Sequence, residues 1–192
     1  MKKICVYAGS NLGNHPDFAA KSKQLGRLMA ERQLELVYGG SNVGLMGEVA
    51  NEMLRLGGKV TGVMPRGLFR GEIVHTQLTE LIEVKDMRER KATMSDLADA
   101  FIALPGGFGT FEELFEMISW GQLGIHKKPI GVLNIEGYYT PMMEMVRHSI
   151  HAGFVKAEHE QLILNSAEPA ELLDQLSSYV PPVFGNKWNQ LD

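Results

Sequence analysis

Residues 105–113 read PGGFGTFEE: three glycines and a threonine, then, after Phe111, two carboxylates, with a third at Glu116. A glycine turn that opens a helix binds anions, because no Cβ holds the ligand off the backbone N–H groups and the helix adds its positive end. Carboxylates repel an anion and suit sugar hydroxyls or a developing positive charge. A ligand that satisfies both parts of this stretch has two electrically different ends.

Two further glycine turns follow apolar runs, Gly9-Ser10 and Gly39-Gly40-Ser41 with Gly44. Taken singly, each such turn serves a strand-to-helix connection. Three at the ends of strands, these two and Gly106-Gly107 with Gly109-Thr110, share one crevice in an open parallel sheet and together point to a phosphate site. Ser10, Ser41 and Thr110 add hydroxyl donors. The chain lacks G-x-x-x-x-G-K-[ST], which disfavours an ordinary P-loop ATPase, and its first turn lacks the G-x-G-x-x-G of a dinucleotide oxidoreductase.

Thr110 is expected to cap a helix containing Glu112, Glu113 and Glu116. Glu113 then has two readings: a capping-box partner that reaches back to the Thr110 N–H, or a carboxylate that projects with Glu112 into the crevice. Glu116 reads as a surface residue. DMRERK brings Arg88, Arg90 and Lys91 to a helix start, where basic residues oppose the dipole and call for a compensating anion or for partners such as Asp86 and Glu89. His148 and His151 share a helical face without an acidic ligand at metal spacing, so no metal site is expected. No lysine sits in a setting that suggests a Schiff base, and no cofactor is expected.

The elements that position these residues alternate. Short apolar runs at 3–8, 34–40, 59–65, 80–84, 99–105, 129–135 and 162–165 read as strands. Amphipathic stretches at 16–32, 45–56, 86–98 (capped by Asp86), 110–124, 138–152 and 166–178 read as helices. The alternation predicts an α/β fold, Rossmann-like and doubly wound, with a mostly parallel sheet of about seven strands flanked by helices. One domain is expected over 1–180, followed by a loose tail at 181–192.

With 192 residues, 44% hydrophobic and 22% charged, the chain has the composition of a globular domain with a sizeable core. A net charge of −4 with dispersed Lys and Arg gives no footprint for nucleic acid. The single cysteine, Cys5, requires no oxidising compartment, and no apolar run reaches the ~20 residues of a membrane span. A cytoplasmic protein without nucleic-acid or membrane partners is expected.

CVYAGSNLG, LVYGGSNVGLMGEVA, DMRERKA and PGGFGTFEE, in this order, resemble the Lonely Guy (LOG) family, whose members are often labelled lysine decarboxylase-like. The family pattern P-G-G-x-G-T-x-x-E is complete from Pro105 to Glu113. The resemblance implies a Rossmann-like homodimer that hydrolyses the N-glycosidic bond of nucleoside 5′-monophosphates, cytokinin riboside monophosphates and AMP among them. The products are free base and ribose 5-phosphate. It implies Arg90 and Glu113 as catalytic residues. For substrate contacts it implies Lys91 of the Arg90-Lys91 pair, Glu72 from RGEI, and the run Gly106, Gly107, Phe108, Gly109, Thr110, Phe111 and Glu112; Ser10, Gly40, Ser41 and Gly44 are expected contacts from the glycine turns themselves. A pyridoxal-phosphate lysine decarboxylase is not implied, whatever the label. A non-catalytic carrier of a nucleotide or phosphorylated cofactor, like the molybdenum-cofactor carriers, is the alternative; it needs the glycine loops but not the Arg90 and Glu113 pair. The chain departs from many members at Arg88, where they have histidine, and at Ser41, where they have a third glycine.

Overall fold

The computed structural model describes residues 1–67 and 74–182. Glu72 and the tail from 183 onward lie outside the described residues.

Seven parallel strands form one sheet in the order β4-β3-β2-β1-β5-β6-β7. They are β1 (Lys3–Tyr7), β2 (Glu35–Tyr38), β3 (Val60–Pro65), β4 (Glu80–Val84), β5 (Ala100–Ala103), β6 (Ile130–Leu133) and β7 (Ile163–Ser166). The central strands are continuous apolar runs because both faces are covered by helices. The alternation of side chains along β1 shows this: Ile4 and Val6 enter one core, Cys5 and Tyr7 the other. The first core is closed by α1 (Pro16–Glu31), α2 (Gly44–Arg55) and α6 (Pro169–Ser178). The second is closed by α3 (Met87–Leu97), α4 (Phe108–Gln122) and α5 (Thr140–His151). β4 is an edge strand, and Glu80 and Glu83 keep it charged and exposed.

The chain leaves β1 toward α1 on one face and β5 toward α4 on the other, although the two strands are neighbours, with Cys5 opposite Phe101. Their loops diverge there. That is the topological switch point at which open α/β sheets bind ligands beyond the strand ends.

The expected elements all occur, with the starts of three helices shifted by two or three residues; α5 begins at Thr140 rather than 138. β7 continues through Ser166, and the last helix begins only at Pro169, whose ring is suited to a first helical position. α4 begins earlier than expected, at Phe108, with Gly107 as its N-cap in extended conformation (φ −98°, ψ −153°). Thr110 is therefore not the cap. It occupies the third helical position, and Glu113 lies six residues past Gly107, beyond capping-box reach. The preference of threonine for caps loses here to the glycine turn, because the first N–H groups of a helix have no internal partner and Gly109 forfeits little by lying among them. Among the described residues no helix is long and apolar enough to cross a membrane.

Candidate active site

At the switch point lies a cavity of about 430 Å³, walled by the loops after β1 and β5, by Gly39 after β2, and by the first turns of α3 and α4. Ser10, Gly106, Gly107, Phe108, Gly109, Thr110, Glu112, Arg90 and Glu113 line it together. Gly40, Ser41, Gly44, Lys91 and Phe111 are not on its wall.

The displaced residues have other work. Beyond Gly39 the β2 loop turns toward residues 74–77: Gly40 O accepts from the His75 N–H at 3.0 Å, and Ser41 is bridged to Val74. The Ser41 side chain is fully buried, and its Oγ accepts from the Val43 N–H at 3.4 Å. Gly44 opens α2 against the backbone of Ser10 and Asn11, where a Cβ would come within 2.2–2.4 Å. The first α2 donors, the N–H groups of Leu45 and Met46, point to Gly9 O at 3.0 and 3.5 Å. Of the helices that follow the β2 and β5 glycine turns, α2 therefore caps the protein's own carbonyl.

The other one, α4, is open. Phe111 N–H is the first in the helix to find a backbone partner, Gly107 O at 3.0 Å. Among the described residues the N–H groups of Gly106, Gly107, Phe108, Gly109 and Thr110 have none. Unsatisfied donors at a helix start carry its partial positive charge and form an anion site.

Arg90 reaches the cavity from the fourth position of α3. Asp86 caps that helix by accepting from the N–H groups of Arg88 and Glu89 at 2.9 and 3.0 Å. The Arg90 guanidinium donates to Val63 O (Nε, 3.1 Å) and Gly39 O (Nη2, 3.3 Å), tying α3 to the ends of β3 and β2. All these acceptors are uncharged, so its positive charge faces the cavity without a carboxylate partner among the described residues. An orienting bond from Arg90 to Glu113 is absent; the two interact through charge alone. Arg88 is exposed on the outer side of the same turn.

Gly39 makes this arrangement possible, because a Cβ there would stand 1.9 Å from Arg90 Nη2. Gly39→Ala is expected to expel the guanidinium, strand two strand-end carbonyls and lower stability by about 1–3 kcal/mol, measurable by denaturant unfolding.

Glu113 is half-buried on the cavity side of α4, with no hydrogen-bond or ion-pair partner among the described residues. Burial pushes its carboxyl from the usual range up to about 7; Arg90 pulls it down, Glu112 pushes it up, and Lys91 pulls it down. A carboxyl so placed exchanges a proton near neutral pH. Lys91 holds Glu112 and Glu116, the latter at 3.1 Å, so this lysine joins α3 to α4. Its two carboxylates hold its pKa above the ordinary lysine value against burial, and it stays charged. Among the described residues no lysine lines the cavity, so no amine is placed to form a Schiff base there.

Phe18 and Tyr138 complete the apolar side of the cavity. Neither carries a motif, and only their place after strand ends could have drawn attention to them. His15, Asp17 and Glu136 bring possible ligand atoms within 4.8 Å of one another at the surface. His15 Nδ1 already accepts from the Asp17 N–H as the cap of α1.

A family model described as "Possible lysine decarboxylase" matches residues 46–176. The chain is 48% identical over 177 residues to the probable cytokinin riboside 5′-monophosphate phosphoribohydrolase LOGL1 of Oryza sativa subsp. japonica, covering 92% of this chain and 79% of that protein. It belongs to the Lonely Guy (LOG) family. A second LOG relative, the cytokinin riboside 5′-monophosphate phosphoribohydrolase LOG7 of Arabidopsis thaliana, is 44% identical over 180 residues, 94% of this chain and 83% of that one. The LOG fold extends to more distant structures. The molybdenum cofactor binding protein of Rippkaea orientalis superposes with a TM-score of 0.69 at 20% identity, over 93% of this chain and 97% of that one. The Moco carrier protein of Chlamydomonas reinhardtii gives 0.67 at 20% identity, over 93% and 99%. At that identity they share the fold.

Proposed function

We propose that this LOG protein hydrolyses the N-glycosidic bond of nucleoside 5′-monophosphates, cytokinin riboside monophosphate or AMP, to free base and ribose 5-phosphate. The observation that carries the reading is the pairing, across one cavity, of an open row of backbone donors with an unpartnered carboxylate poised near neutrality. The phosphate lies on the N–H groups of residues 106–110 and the Thr110 hydroxyl, with the Arg90 charge facing it. The ribose then falls beside Glu113.

Cleavage of the C1′–N bond leaves its electron pair on the base and positive charge on C1′ and the ring oxygen. An ionised Glu113 stabilises that charge. It also takes one proton of the water whose oxygen bonds to C1′, the electron pair left on the departing base takes up a proton from solvent, and Glu113 then returns its proton to solvent, so the reaction balances as addition of one water. Identities of 42–48% to proteins named phosphoribohydrolases support this chemistry over decarboxylation, and the Lys91 ammonium, held by two carboxylates, supports it further.

The protein acts as a homodimer through the faces around α3 and α4. Exposed Met87 and Phe108, with Leu123 and Ile125 just beyond α4, support that surface. The expected result with a panel of nucleosides and nucleoside monophosphates is base release from the monophosphates, read by chromatography, with no carbon dioxide from lysine and pyridoxal phosphate. No base from any panel member would instead favour a carrier.

A further inference from the structure

Open donors at residues 106–110 require that the neighbouring carbonyls point elsewhere, and each of four consecutive carbonyls is held by a protein donor. Leu104 O accepts from the Tyr139 hydroxyl at 2.7 Å, and Pro105 O from the Gly9 N–H at 3.0 Å. Gly106 O accepts from the Tyr138 hydroxyl, and Gly107 O from the Phe111 N–H at 3.0 Å. Two of the four holds come from consecutive tyrosines on the turn between β6 and α5.

The Gly106–Gly107 peptide is where a hold matters most. A trans peptide directs its C=O and N–H in opposite senses, so rotating the plane exchanges them. Between two glycines that rotation meets little steric resistance. A rotated plane would set the Gly106 oxygen where the Gly107 N–H stood, replacing a donor to an anion with a repelling lone pair. Only the Tyr138 hydroxyl fixes this carbonyl among the described residues.

Tyr138 is itself well fixed. Its ring lies parallel to Phe111 at 6.3 Å and meets Phe18 and Tyr139 edge-on at 6.0 and 5.2 Å. Phe111 thus reaches the site through Tyr138 although it does not line the cavity. Glu136 and Gly137, both left-handed at φ 52° and 72°, form the turn that delivers the tyrosine pair.

We infer that Tyr138 is a positioning residue for the phosphate end of the substrate: its hydroxyl locks the Gly106–Gly107 peptide with the N–H available to the anion. The inference rests on the proposed nucleoside-monophosphate reading for the identity of that anion. It concerns binding of the phosphate end, so it is tested apart from turnover.

The test is calorimetric titration of the whole protein with ribose 5-phosphate and, separately, with adenine. Tyr138→Phe keeps the ring contacts and removes one hydroxyl, so the melting temperature is expected to stay unchanged. Affinity for ribose 5-phosphate is expected to fall roughly tenfold, with adenine affinity unaltered. Placing 4-aminophenylalanine at position 138 returns a donor and is expected to restore ribose 5-phosphate binding. Equal ribose 5-phosphate affinity in wild type and Tyr138→Phe would overturn the inference. So would a parallel loss for adenine, which would make Tyr138 a face for the base, or failure of the amino analogue to rescue. If the wild type binds ribose 5-phosphate and shows this pattern but releases no base, the hydrolase reading fails while the clamp stands.

Discussion

Glu113→Gln is expected to lower base release from AMP by about 100- to 10,000-fold, because it removes both the charge beside the anomeric carbon and the acceptor for the water proton. Glutamine keeps the shape, so binding of ribose 5-phosphate at the α4 terminus should survive. The pH dependence supplies a second signature. With the carboxyl raised to about 7 by burial, the rate of the wild type should climb as pH rises through that value. The substrate phosphate titrates lower, near ~6, and only that limb should remain in the residual activity of the variant. Stability should move the opposite way. Glu113 has a folded-state pKa above its ordinary value, so the folded protein binds the extra proton. The stability it contributes is present below the unfolded pKa near ~4.3 and is lost as pH rises through about 7. Glutamine never ionises. Its advantage in melting temperature over the wild type should therefore be absent in acid, grow between those two values and level off above neutrality. An inactive variant without that pH-dependent gain would mean that Glu113 is not the half-buried, unpartnered carboxyl described above.

How far this site could be read from the sequence follows from which interactions are local. Parallel strands buried on both faces are continuous apolar runs, and the run at 99–105 contains β5, buried throughout Ala100–Ala103. Asp86 caps α3 as expected because a cap is set by residues two and three positions away. PGGFGTFEE was legible as an anion loop followed by carboxylates for the same reason. What failed to show was register and direction. Whether α4 starts at Thr110 or Phe108 turns on the extended backbone of Gly107, and only the second choice frees Glu113 from a cap. The β2 loop carries the same residue types as the β5 loop, yet Gly40 and Ser41 turn to residues 74 and 75, partners more than thirty positions away. The α2 donors are taken by Gly9, and Tyr138 meets Gly106 across 32 residues. Composition at strand ends marks the crevice. Which donors stay open in it depends on contacts between loops distant in sequence.

Arg90→Ala is expected to reduce kcat/KM for a nucleoside monophosphate by about 100- to 1,000-fold, the scale of a lost preorganised electrostatic donor. The guanidinium holds Gly39 O and Val63 O while its charge faces the cavity, so the substitution removes a strut and a charge together. The two losses can be separated through Glu113. Arg90 draws that carboxyl downward, so without it the acid limb of the rate profile should move above about 7. Arg90→Lys supplies the companion result. An ammonium restores positive charge near the cavity and should return the limb toward the wild-type position. It lacks the planar fork that meets two strand-end carbonyls at once, so the rate should stay well below wild type. A lysine variant that recovers both would reduce Arg90 to a point charge, and an alanine variant whose limb stays at about 7 would remove it from the environment of Glu113. The expected split, limb restored but rate not, assigns Arg90 both functions: its charge keeps Glu113 ionisable near neutrality, and its fork joins α3 to the strand ends that shape the cavity.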